Sequence, residues 1–231
     1  MSKATLKTLR FVVPGVMILV FGCFLGHSSL QELAEFLRSV ENLLYIVIVF
    51  PIAYLYNIMN FRGPFLRGSH SLIQANIKEK LIAPFETEEV IKVNKESLTQ
   101  GQQLVNLFYR IVDNDESLKS KTQDVYFNGL LWSSTADLMA VSLLFIPVYI
   151  IAYVIRPLPH YLPIALGLCI VFLFASRVAM PRVTSRHIEL SNDQLEFILQ
   201  HHREDVHKGL LRLASDAAVR VTTPDDGPKA Q

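Results

Sequence analysis

Four long apolar runs constrain this chain more than any other feature: "FVVPGVMILVFGCFLG" from Phe11, "LLYIVIVFPIAYLYNIM" from Leu43, "LMAVSLLFIPVYIIAYVI" from Leu138 and "YLPIALGLCIVFLFAS" from Tyr161. Each holds about 16 to 18 residues before its flanks are added, near the lower limit for crossing the hydrocarbon layer of a bilayer. With 51% hydrophobic and only 19% charged residues, the chain is also too apolar for an ordinary soluble domain. The runs predict an all-α integral membrane protein with four transmembrane helices.

Basic residues orient the spans, because Lys and Arg are retained on the cytoplasmic side during insertion. Lys3, Lys7 and Arg10 precede the first run, Arg62 and Arg67 follow the second, Lys119 and Lys121 precede the third, and Arg177, Arg182 and Arg186 follow the fourth. The opposite connections carry only Arg38 and Arg156. Both termini are expected to be cytoplasmic, and the compact soluble parts suit a bacterial inner membrane. A cleaved signal peptide or a lipidated Cys23 fits less well, since Phe24 and Leu25 continue the apolar run past "VFGC". Cys23 and Cys169 both fall within apolar runs, which implies no disulfide framework.

The expected organisation follows. Residues 1–60 hold the first two spans and a short external amphipathic segment, in which Leu30, Leu33, Ala34, Leu37 and Val40 recur at helical spacing. Residues 61–135 form a helical cytosolic insertion, 136–180 the third and fourth spans, 181–221 a C-terminal cytosolic helix and 222–231 a flexible tail. Within the insertion, "FRGPFLRGSH" reads as a Gly/Pro loop and Leu72–Ile82 as a short helix. Leu98, Leu104, Val105, Phe108, Ile111 and Val112 mark one amphipathic helix. No proline lies between Glu116 and Pro147, so one rod is expected to run from the insertion into the third span. After Pro181, "LSNDQL" reads as a capping box with Ser191 as N-cap and Gln194 as its returning partner. Each cytosolic part has an apolar face too small to satisfy alone, so the two are expected to pack together.

The third run opens with unusual polarity, "VYFNGLLWSSTADLMAVS" from Val125. Gly129, Ser133, Ala136 and Ala140 make a small-residue face for close helix packing, and Trp132 is placed at the lipid interface with Arg62 and Arg67. Asp137 is expected to pair with Arg177, with Arg10 as second candidate, because an isolated carboxylate at that depth is costly. A proton or ion site at Asp137 is the functional alternative. Thr135, Ser142, Tyr149 and Tyr153 share a stripe that could line a pore in an oligomer, with Tyr45 and Tyr56 contributing; belt and packing roles compete with that reading.

In the cytosolic parts, Asp113, Asp115, Ser117 and Asp124 imitate calcium-loop positions, but Leu118 occupies the place that needs Gly and helix capping explains the acids. "HHREDVH" does not gather its histidines on one face, so no metal and no cofactor is expected. His202 is a candidate pH sensor, and Leu195, Leu199, His202 and Val206 form the expected partner face of the C-terminal helix. The expected function is non-enzymatic: a multi-pass membrane protein that binds or regulates a partner, of the kind an immunity protein against a membrane-active toxin would represent. The alternative is an oligomeric channel or permeabilising effector. Expected partners are membrane lipids and either further copies of the chain or a second membrane or cytosolic protein. The basic residues are explained by topology, which leaves no case for nucleic acid.

Overall fold

In the computed structural model, which describes residues 3–26 and 43–222, every element is helical. In chain order these are α1 (Lys3–Gly26), α2 (Leu43–Ile58), α3 (Gly63–Ile82), a 3-10 turn (Ala83–Phe85), α4 (Glu89–Val93), α5 (Lys95–Gln100) and α6 (Gln103–Asn114). There follow α7 (Glu116–Ile155), α8 (Tyr161–Phe174), a π turn (Ala175–Ala179), α9 (Met180–His201) and α10 (Arg203–Thr222). The external amphipathic segment with Leu30 to Val40, and the tail beyond Thr222, lie outside the described residues.

Three stretches are long and apolar enough to cross a membrane: Ala4–Gly26, Thr122–Ile155 and Tyr161–His201. They point to a membrane-embedded protein. The described part of the second apolar run is α2, 16 residues of apolar helix that begin where the described residues resume.

The chain divides into two compact units, Met1–His70 with Tyr126–Arg186, and Ser71–Val125 with His187–Gln231. The first is built on two apolar clusters. One joins Tyr56, Ala140, Val141, Phe145, Tyr149, Tyr161, Ala165 and Leu168, and the other joins Ala136, Met139, Ala175 and Met180. Its outer surface is apolar too, with Val47, Phe50, Leu55, Ile151, Val154, Leu166 and Ile170 exposed. A water-soluble domain rarely leaves so continuous an apolar surface uncovered. Helices α1 and α2 approach closely at Gly15, where an added Cβ would lie 2.5 Å from the Val49 carbonyl oxygen and 2.9 Å from Ala53 Cβ.

The second unit buries one face of each of its helices. In α6 the buried residues are Leu104, Val105, Leu107, Phe108, Ile111 and Val112, an i, i+3, i+4, i+7 stripe that must turn inward. Leu195, Ile198, Val206, Leu210 and Ala214 of the C-terminal helices are also buried. Ile73, Ile77 and Leu81 of α3 complete the core. The unit thus draws on both the insertion and the C-terminal segment.

Several element boundaries differ from the sequence expectation. "FRGPFLRGSH" is mostly helix, because Pro64 sits in the first turn of α3, where a missing N–H leaves no bond unmade. Asn60 makes the turn before it with a φ of 50°, a left-handed conformation that Asn tolerates better than most residues. The expected helix through Leu98 and Leu104 is two helices, since Gly101 is extended at the end of α5. Ser191 is not an N-cap but a buried residue inside the 22-residue α9. The π turn before Pro181 accommodates the ring, so the helix passes the proline instead of restarting after it. Residues 181–221 therefore form two helices with a break at His202. The rod from Glu116 is a single helix of 40 residues.

Candidate functional site

The polar centre of the first unit is Asp137, with no exposed surface. Its Oδ1 accepts the Tyr56 hydroxyl at 2.9 Å and pairs with Arg62 Nε at 3.0 Å. Arg62 Nη2 donates to the Arg10 carbonyl at 3.0 Å and to Asn57 Oδ1 at 2.9 Å, and Asn57 Nδ2 donates to the carbonyls of Phe11 at 3.2 Å and Ala53 at 2.6 Å. The Arg62 guanidinium also lies 5.8 Å from the centroid of the Tyr56 ring. One network therefore ties α7 to α2, to the turn after it and to α1. Asp137 Oδ2 is buried and has no hydrogen-bond partner.

This corrects the expected Asp137–Arg177 pair. Arg177 is exposed, two residues past the buried Ala175. Two residues turn a helix by about 200°, so Arg177 points away from the face that Ala175 turns inward. Arg62, expected at the lipid interface, is committed to the carboxylate instead, while Arg67 is exposed.

Arg10 occupies a separate niche. Its Nη2 donates to the Tyr126 carbonyl at 2.7 Å. It can do so because residue 129 is glycine: a Cβ there would lie 2.2 Å from Arg10 Nη2. Gly129, Ser133, Ala136 and Ala140 are all buried, with Gly129 admitting a guanidinium and Ala136 and Ala140 packing in apolar clusters. Trp132, expected at the lipid interface, is half-buried and its indole N–H donates to Ser69 Oγ at 2.8 Å.

The candidate pore stripe is largely an inward face. Ser142 and Tyr149 have no exposed surface, and the Tyr149 hydroxyl donates to the Phe21 carbonyl at 2.5 Å. Thr135 is half-buried and bonds back to the Leu131 carbonyl at 2.8 Å, and Tyr153 packs on the apolar cluster. Ser142 and Tyr149 are thus covered by this chain's own helices, which removes them from any axis between copies. The Tyr45 side chain lies outside the described residues.

In the second unit Asp115 begins α7. Its Oδ1 accepts the backbone N–H groups of Ser117 at 2.7 Å and Leu118 at 3.1 Å and also the Ser117 hydroxyl, while Oδ2 lies 2.7 Å from His202 Nε2. Both oxygens are used, as helix cap and as ion-pair partner. The Ser117 hydroxyl, then His202, hold the Asp115 carboxyl well below the ordinary range, and the hydrogen bond to Asp115 raises His202 above its usual 6.5. A histidine raised on folding contributes stability that is complete below its unfolded pKa and lost as pH rises through the folded value. The lowered Asp115 contributes stability present above its unfolded value and lost in acid. The pair is therefore expected to stabilise the fold most between about pH 4 and 6.5. Thermal unfolding of wild type and His202→Gln should converge as pH climbs to 9; a difference unchanged over that range overturns the assignment.

The expected partner face of the C-terminal helix is taken up internally. Leu195 and Val206 are buried, Leu199 is half-buried and His202 is bound to Asp115. Two adjoining cavities lie along the crossing of α6 and α10. One, of about 320 Å³, is lined in part by Asn106, Arg110 and Arg212, and the other, of about 440 Å³, in part by Arg110, Asn114, His202, Lys208 and Arg212.

Sequence reasoning offered Tyr56 as a pore contributor, whereas it is buried and bonded to Asp137, and it missed Asn57 and Gly15. The signal for this cluster was present: Tyr56 and Asn57 close the second apolar run just before Arg62, so three hydrogen-bonding groups stand at one end of α2. No group of three or more metal-ligating side chains gathers among the described residues. Comparison of the chain with known protein families, curated proteins and solved structures finds no match.

Proposed function

We propose that this chain is a non-enzymatic membrane protein that binds or regulates a partner through its helical cytosolic unit. In this reading it has four spans, with α2 as the second, and both termini lie on the cytoplasmic side of a bacterial inner membrane. The observation that carries the reading is the internal use of the membrane unit's polar groups: Asp137, Tyr56, Arg62 and Tyr149 are bonded within the chain. The burial of Ser142 and Tyr149 favours it over a conducting assembly. The exposed Val47, Phe50, Tyr54, Leu55 and Ile58 favour lipid around α2, since four apolar residues and a tyrosine would otherwise face water.

Cross-linking in native membranes at native abundance, followed by isolation and mass spectrometry, tests the functional part. A second protein recovered in fixed ratio supports it. A ladder made only of this chain, with ion flux in liposomes, replaces it with the channel reading. Topology has its own test: with Cys23 and Cys169 changed to serine, Ser97→Cys should react with an impermeant maleimide in inverted vesicles and not in intact spheroplasts. The opposite labelling overturns the orientation.

A further inference from the structure

We propose that the groove along the crossing of α6 and α10 is a binding site for phosphate-bearing anions, held chiefly by Arg110 and Arg212. The inference goes beyond the reading above, because it needs no protein partner.

Gly209 lets α10 approach α6 closely: a Cβ there would lie 2.8 Å from both methyl carbons of Leu107. The helices run antiparallel, since Asp115 meets His202 while Leu107 meets Gly209. Arg110, Gly209 and Arg212 line both cavities, so the two are continuous along the crossing. Together their volume suits a small molecule.

The charges are not balanced. Arg110, Lys208, Arg212 and His202 line the groove against Asp205 and Asp216. His202 is engaged by Asp115 and Asp205, and Lys208 by Glu204 at 3.6 Å. Among the described residues Arg110 and Arg212 take part in no ion pair, and both are exposed. Two guanidinium forks opening on one cavity match the paired oxygens of a phosphate better than a single carboxylate. The amides of Asn106 and Asn114 add neutral donors at the wall. Soluble phosphates and phospholipid headgroups share this chemistry.

The test is calorimetric titration of the full chain in phosphatidylcholine nanodiscs with inorganic pyrophosphate at fixed ionic strength. Saturable binding is expected, weakened about tenfold by Arg110→Gln or Arg212→Gln and lost in the double variant. Arg→Lys at either position keeps the charge without the fork and should fall between wild type and Gln. These side chains are exposed, so the variants should keep the wild-type melting temperature. No saturable binding, or undiminished binding by the double variant, overturns the proposal. Repeating the titration in phosphatidylglycerol nanodiscs assigns the source: binding abolished by the lipid in wild type identifies a headgroup, and binding retained identifies a soluble phosphate.

Discussion

Asp137→Leu is expected to destabilise the fold by about 3 to 5 kcal/mol, because it strands Arg62 in a largely buried position without its carboxylate. It also leaves the buried Tyr56 hydroxyl without an acceptor. The cost should be non-additive. Arg62→Met alone is damaging, since it leaves an unpaired buried carboxylate, but the Asp137→Leu/Arg62→Met double variant removes both charges and should recover part of the loss. Unfolding of the purified protein in mixed micelles gives all four corners of the cycle. Additive single effects would show that the two side chains are not energetically coupled. Arg177→Leu is the control, within about 0.5 kcal/mol of wild type as an exposed site away from this network.

Gly15→Val is the second large effect, expected at about 1 to 3 kcal/mol or more from overpacking. Its first added carbon meets the Val49 carbonyl, which is backbone and cannot rotate aside, so α1 and α2 must separate. Gly22 lies in the same helix with nothing within 4 Å of an added Cβ. There Gly22→Ala should be neutral or stabilise by up to about 1 kcal/mol through helix propensity. Equal effects at the two glycines would mean that helix propensity, rather than the close approach of α1 and α2, governs both.

Local patterns carried the fold a long way. Apolar run length found the three stretches long enough to cross a membrane, and absence of proline from Glu116 to Pro147 was enough to predict one rod into the third run, which continues past Pro147 to make the 40 residues of α7. Where the reading failed, the deciding contacts were remote in sequence. Asp137 could be identified as a group needing a partner, but choosing Arg62 over Arg177 requires the rotation of each helix about its own axis, which a statement of depth does not contain. The capping-box motif at Ser191 was locally sound and was overridden because the π turn let the preceding helix continue. The apolar face at Leu195 and Val206 was correctly expected to need cover, yet nothing local distinguishes cover by the same chain from cover by another.

The phenol contacts at the end of α1 bear on the order in which the protein is made. Tyr149 and Tyr161 donate to the carbonyls of Phe21 and Leu25 across 128 and 136 residues of chain. These two bonds to α1 therefore form only when α7 and the start of α8 have followed it. Nascent chains stopped before residue 149 should hold α1 less firmly than chains released after residue 161.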